Sequence, residues 1–376
     1  MRRKPIYLIT LIMLFQGFFS VKVNAEPMKI YVNARSAIAM DSKSKCIMYE
    51  KNSDMIVPIA STTKIMTALV VLNYGDLDKK VEISEKASHI KGSVVDYKKG
   101  ENISIKELLY GLMLRSGNDA AIAIAEGISG SVEEFCKLMN EQAYKLGALN
   151  THFESPHGLD SQYHYSTAYD LALITAKAKE YDLFNKIVSA KEVKAEDYGF
   201  TRSYNNINKI LYKIPAADGV KTGYTGDAGK CLVTSIHQGE NDIIIVTLNC
   251  SNRWNETEKI YNHVNKNYNF TKVATKDDKV ESIEINKDNI IELAAKKDII
   301  IPMKNNEKYN INIIKPKIIP DKISKGDAYG KITVSKDNTI IYSENLYINN
   351  NIEYKNKNLL NKLKNKFQIN KTKEKS

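Results

Sequence analysis

No two of the four cysteines stand in a C-x-x-C spacing, and none of the six histidines belongs to an H-E-x-x-H. Those absences argue against a zinc site and against a disulfide framework. Cys46, Cys136, Cys231 and Cys250 therefore read as single buried thiols, with a Cys231–Cys250 pair across a hairpin as the one alternative. His157 and His164, separated by a loop-like stretch, read as structural rather than metal-binding. No cofactor or metal is expected. Internal repeats are missing too, and past the amino-terminal segment no run reaches the roughly 18 apolar residues of a transmembrane helix.

The body of the chain also lacks an excess of charge. Of the formal +11, residues 1–25 hold +4 (Arg2, Arg3, Lys4 and Lys22, with no acid) and residues 357–376 hold +6 (seven lysines and Glu374), which leaves +1 for everything between. A near-neutral body gives a nucleic-acid partner no support.

The two charged ends have different patterns. Residues 1–25 run from basic residues through "IYLITLIMLFQGFF" to "VNA", the pattern of a secretory signal cleaved after Ala25, with a retained anchor as the alternative. At the other end, "KNKNLLNKLKNKFQINKTKEKS" puts Leu359, Leu360, Leu363 and Phe367 on one helical face among lysines. Such a segment suits the interface of an anionic membrane, and a solvated Lys/Asn tail is the plainer reading of the same charges.

Between these ends the periodicity describes an α+β chain of two domains: residues 26–272 mixed strands and helices, residues 273–352 all-β, with residues 353–376 as the tail. "KIYVNARSAIAMDSKSKCIMYEKN" alternates about a polar break and predicts a hairpin. Helical spacing predicts helices near 61–74, 104–114, 117–128, 131–147 and 166–178. "KCLVTSIHQGENDIIIVTLNC" predicts two strands about a bend at Gln238–Asn241. Beyond Thr271 short β-type runs separated by Lys/Asn/Gly/Pro turns predict a small β-sandwich.

Within the first helix, "ASTTKIMTALVV" sets Lys64 three places after Ser61, on one helical face and in apolar surroundings. A buried lysine becomes a base near neutral pH only if desolvation or a second cation lowers its pKa from about 10.4. Two more elements follow in order: Ser116-Gly117-Asn118 between two apolar helices, and Lys221-Thr222-Gly223 leading into a strand. Each is weak alone. Together they form the three-motif set of penicillin-binding proteins and serine β-lactamases.

The wider stretches "LLYGLMLRSGNDAAIAIAE", "SPHGLDSQYHYSTAYDLALI", "DGVKTGYTGDAGKCLVTS" and "RWNETEKIYN" narrow this. Over about residues 30–350 the chain resembles the low-molecular-mass D-alanyl-D-alanine carboxypeptidases, the penicillin-binding protein 5 family. The resemblance implies a catalytic domain with a helical subdomain and a helix-covered antiparallel sheet, then a β-rich domain, then a tail docked on the outer face of the membrane. Its implied partners are peptidoglycan stem peptides ending in D-Ala-D-Ala, with β-lactams as covalent inhibitors.

The roles expected from chemistry and resemblance are as follows. Ser61 is the nucleophile and Lys64 its base, kept neutral by desolvation and by Lys221. The backbone N–H groups of Ser61 and Tyr224 hold the oxyanion. Ser116 relays a proton to the leaving amine, and Asn118 holds Lys64 or the substrate amide. Lys221 and Thr222 bind the terminal carboxylate, beside which Gly223 leaves room, and Arg253 helps to bind it. His157 is expected to shape a loop. Asn206 and Asn208 match a family Asn-x-Asn stretch, or simply form a turn.

A class A β-lactamase would need an E-x-x-L-N stretch, and "EYDLFN" is one residue too long, so slow release of penicillin is expected. A non-catalytic wall-binding protein is the alternative of another class.

Overall fold

The computed structural model describes residues 30–286, 289–316, 322–352 and 354–355. The expected signal segment and the basic tail from residue 357 onward lie outside the described residues. The first body of structure is a five-stranded antiparallel sheet of β1 (Ser36–Asp41), β2 (Ile47–Lys51), β3 (Ala217–Thr225), β4 (Gly229–Gln238) and β5 (Asn241–Leu248), in the order β2-β1-β5-β4-β3. Every residue of β1 is buried, which a strand achieves only when both sheet faces are covered. The covers include two helices far apart in sequence, Ala168–Ala178 against β1 and β5 and Arg253–Asn267 against β4 and β5.

The helical part is α1 (Lys64–Tyr74), α2 (Ile105–Leu114), α3 (Asn118–Ser129), α4 (Val132–Lys145), α5 (Ala168–Ala178), α6 (Asp182–Ser189) and α7 (Arg253–Asn267). Serine or threonine caps start three of them: Ser104, Ser131 and Thr167 each accept a backbone N–H from the acidic residue three places on. Helix α1 is central, buried from Lys64 through Val71 and packed against α2, α3, α4 and α5. A helix that is apolar all round belongs inside a domain. That makes Lys64 an ionisable amine placed in a core.

The expected hairpins and helices stand where the periodicity put them, with three differences. The Lys221-Thr222-Gly223 motif lies within strand β3, not ahead of it. Its residues show no period-two pattern because β3 is the sheet's edge and its outer side is covered by the turn carrying Ser61. Helix α6 was not anticipated. The third difference is β6 (Tyr268–Ala274), a strand whose "YNFTKVA" is mostly exposed or half-exposed and so gives little signal.

β6 pairs with β9 (Ile299–Lys304), and a second five-stranded sheet runs β7-β8-β12-β11-β10, formed by Lys279–Asn286, Asn289–Ala294, Thr339–Ile348, Ala328–Lys336 and Asn310–Ile314. These strands enclose their own core of Ile291, Leu293, Ile301, Ile332, Val334 and Leu346. Cys46, just past the β1–β2 turn, packs into that core, so the hairpin joins the two halves. All four cysteines are buried free thiols.

Candidate active site

Ser61 sits in a single 3-10 turn, Ala60–Thr63, that runs straight into α1. The chain reaches it through Ala60, whose φ of +50° is left-handed, and the second motif repeats the device at Ser116, φ +63°. Non-glycine residues in this region persist where surrounding structure holds them, and they concentrate at functional sites.

Lys64 is 0 % exposed, and its Nζ has three partners: Ser61 Oγ at 2.9 Å, Asn118 Oδ1 at 2.8 Å and the His157 carbonyl oxygen at 2.8 Å. Burial, and after it the charge of Lys221, pulls the Lys64 pKa well below the usual lysine value, while Asp119 opposes the shift. A neutral amine has two N–H bonds and one lone pair. The carbonyl of His157 and the amide oxygen of Asn118 are able only to accept, so they take both N–H groups. The lone pair is left facing the Ser61 hydroxyl, the orientation of a general base.

The second motif is held by the loop over it. The Asn118 side chain donates to the Lys91 carbonyl at 2.7 Å and its backbone N–H donates to Ser93 at 2.8 Å. Asp119 accepts backbone N–H groups from Val95, Asp96 and Tyr97 at 2.8–3.1 Å. Gly92 is tied to this contact: a Cβ there would come within 2.7 Å of Asn118 Nδ2.

From the third motif, Lys221 is 1 % exposed, and burial together with Arg253 lowers its pKa to about 7. Gly223 lets β3 approach Ser61, since a Cβ there would stand 3.1 Å from its backbone nitrogen. Thr222 is buried beside it, whereas Tyr224 is 67 % exposed. Arg253 donates from Nη1 to the carbonyls of Gly223 at 2.6 Å and Cys231 at 2.9 Å, bracing β3 from α7, and its guanidinium lies over the Trp254 ring.

The fold thus joins Ser61, Lys64 and Asn118 by direct contact and sets Gly223 of β3 against the Ser61 nitrogen, with Arg253 bonded to the Gly223 carbonyl and Ser116 buried two places before Asn118. His157 contributes its backbone carbonyl. Asn206 and Asn208 form a turn: Asn206 donates to Val188 and Ala190 and accepts from the Asn208 N–H, and Asn208 accepts from Ile210. In "EYDLFN", Glu180 pairs with Lys177 and Asn185 with the Lys179 carbonyl. Sequence reasoning did not identify the His157 carbonyl, the Asp119 clamp or a buried His164–Thr63 contact of 2.7 Å. The only sequence signals were the aspartate following Asn118 and the already quoted "SPHGLDSQYHYSTAYD". Among the described residues no group of three or more His, Cys, Asp or Glu is placed to hold a metal.

The profile of the D-alanyl-D-alanine carboxypeptidase family of peptidases matches residues 21–252, and that of the penicillin-binding protein 5 C-terminal domain matches residues 268–354. Among curated proteins, the D-alanyl-D-alanine carboxypeptidase DacF of Bacillus subtilis is 34% identical over 82% of this chain and 83% of its own. DacA of Haemophilus influenzae is 28% identical over 90% of this chain and 91% of its own. Among solved structures, penicillin binding protein 5 of H. influenzae superposes with a TM-score of 0.76 at 28% identity, covering 87% of this chain and 99% of that one.

Proposed function

The chain belongs to the D-alanyl-D-alanine carboxypeptidase family of serine peptidases, and from that premise we propose that it removes the terminal D-alanine of peptidoglycan stem pentapeptides through an acyl-enzyme on Ser61. The lone pair of Lys64 takes the Ser61 proton as Oγ attacks the carbonyl of the penultimate D-alanine. The backbone N–H groups of Ser61 and Tyr224 receive the oxyanion. Ser116 passes the proton to the departing amine, and Lys221 and Thr222 hold the substrate's terminal carboxylate, with Arg253 keeping β3 in place behind Gly223. Water then releases the shortened peptide. Penicillin acylates the same hydroxyl and leaves slowly, because its opened ring stays in the path of that water, and "EYDLFN" departs from the E-x-x-L-N stretch with Glu180 held by Lys177.

The observation that carries this reading is the pair of obligate acceptors on Lys64. We place residues 1–25 as a secretory signal and the tail from residue 353 as a peripheral anchor on the outer membrane face, with residues 26–272 catalytic and 273–352 the β-rich spacer. The signal pattern and the lysine-framed apolar face of the tail support this.

The test is intact mass after mixing the protein lacking residues 1–25 with benzylpenicillin, beside Ser61→Ala, followed by release of D-alanine from a peptide ending in D-Ala-D-Ala. A long-lived one-to-one adduct that Ser61→Ala lacks, with D-alanine released, is expected. An adduct lost within seconds would make the protein a β-lactamase. Neither adduct nor D-alanine would leave a wall-binding protein.

A further inference from the structure

A buried polar chain on the far side of the nucleophile turn is used by none of the steps above. His164 is 3 % exposed, its ring edge-on to Phe153 at 5.7 Å between centroids. Its Nδ1 lies 3.1 Å from the backbone nitrogen of Glu154, and its Nε2 lies 2.7 Å from Thr63 Oγ1. A backbone N–H is able only to donate, so Nδ1 carries no proton and the ring's proton sits on Nε2. Nε2–H therefore donates to the Thr63 hydroxyl. That hydroxyl in turn donates to the Ala60 carbonyl at 2.8 Å. Burial agrees with this tautomer, lowering the His164 pKa to about 4 and keeping the ring neutral.

The direction of the chain matters because of where it ends. Ala60 C=O and Ser61 N–H belong to one trans peptide plane and point opposite ways. Fixing the carbonyl fixes the N–H. The Ser61 nitrogen is approached by Gly223 of β3, the side on which the proposed oxyanion site lies. The same carbonyl is backed by Gly158, φ +83°, where any Cβ would clash with the Ala60 oxygen. Ala60 itself is left-handed, a conformation that needs such restraint.

We infer that His164, acting through Thr63, is a positioning residue that sets the Ala60–Ser61 peptide plane and so aims the Ser61 N–H at the developing oxyanion. The inference rests on the reading of Ser61 as nucleophile. His164 and Thr63 each both donate and accept, so removing either loosens the hold on the Ala60 carbonyl and with it the peptide plane. Its effect falls on the transition state, where the oxyanion exists, more than on binding of the ground-state peptide.

The test uses Thr63→Val, close to isosteric but without the hydroxyl, Thr63→Ser, which retains it, and His164→Phe, which retains a ring. Measured quantities are the penicillin acylation rate, kcat and KM on a D-Ala-D-Ala peptide, and affinity for a peptide boronate whose tetrahedral oxygen occupies the oxyanion position. Removing an oxyanion donor outright costs about 10²–10³ in kcat, so misaiming one through Thr63→Val or His164→Phe is expected to cost ~10–100-fold. KM should stay within about threefold, and boronate affinity should fall in step with kcat/KM. Thr63→Ser should stay close to wild type, and the double variant should be no worse than the poorer single one. The inference is overturned if Thr63→Val acylates within about twofold of wild type, or if Thr63→Ser loses as much as Thr63→Val. Absence of acylation in the wild-type protein would instead strike at the nucleophile reading, so the two failures are distinguishable.

Discussion

The side-chain oxygen of Asn118 stands 2.8 Å from the amine of Lys64, an acceptor without charge facing a buried amine. Being uncharged, it leaves intact the lowering of the Lys64 pKa that burial and Lys221 impose. Asn118→Asp would place a carboxylate there, favour the ammonium and raise the Lys64 pKa. Penicillin acylation at pH 7 is expected to fall by about 10²–10⁴, the worth of a general base, and to recover as pH rises. A pH profile of the acylation rate that matches wild type would refute this.

The proposed mechanism needs Lys221 and Lys64 in opposite states. Lys64 must be neutral, so activity is lost as pH falls through its lowered pKa, whereas Lys221 must be charged to hold a carboxylate. With Lys221 at about 7 in the free protein, kcat/KM on the peptide should decline as pH rises through that value. Lys221→Arg, charged throughout, should flatten the alkaline limb. Arg253→Met removes the cation that lowers the Lys221 pKa, so the limb should move to higher pH while KM rises from loss of the Gly223 and Cys231 contacts.

Gly158 is the tightest point behind the nucleophile turn. Gly158→Ala combines a left-handed backbone with overpacking against Ala60 and should cost on the order of 2–5 kcal/mol of stability, read from denaturant unfolding. A loss below about 1 kcal/mol would mean that the loop relaxes freely.

Acid should destabilise the protein through its buried histidines. Burial lowers His164 to about 4 and His157 to about 3, from about 6.5 when unfolded. Between those values the unfolded chain binds more protons, so this stability is present above about pH 6.5 and is lost as pH falls towards 4 and below. Thermal unfolding should show that slope, and His164→Gln should reduce it. An unchanged slope in the variant would assign the acid sensitivity to other groups.

Much of the site was legible because each motif is local. Ser61 and Lys64 share one helical turn, and Ser116–Asn118 fill the joint between two apolar helices. The helices were legible for the same reason, since a 3.6-residue period needs only neighbours. The edge strand β3 was not, because what buries its residues is β4 on one side and the turn of Ser61 on the other. β6 escaped notice for a related reason, its partner β9 being supplied from about thirty residues along the chain. Asn206 and Asn208 show the converse: the matching pattern was visible, and the hydrogen bonds place them in a turn.

By itself the sequence determined which hydroxyl and which amine meet, through a spacing of three at the start of an apolar helix. Only the tertiary structure decided that the amine is buried with two obligate acceptors turned to it. Its two acceptors come from 54 and 93 residues away, and its desolvation comes from the helices packed around α1. Spacing along a helix sets adjacency, but the protonation state and the direction of a lone pair depend on everything that surrounds the group in space.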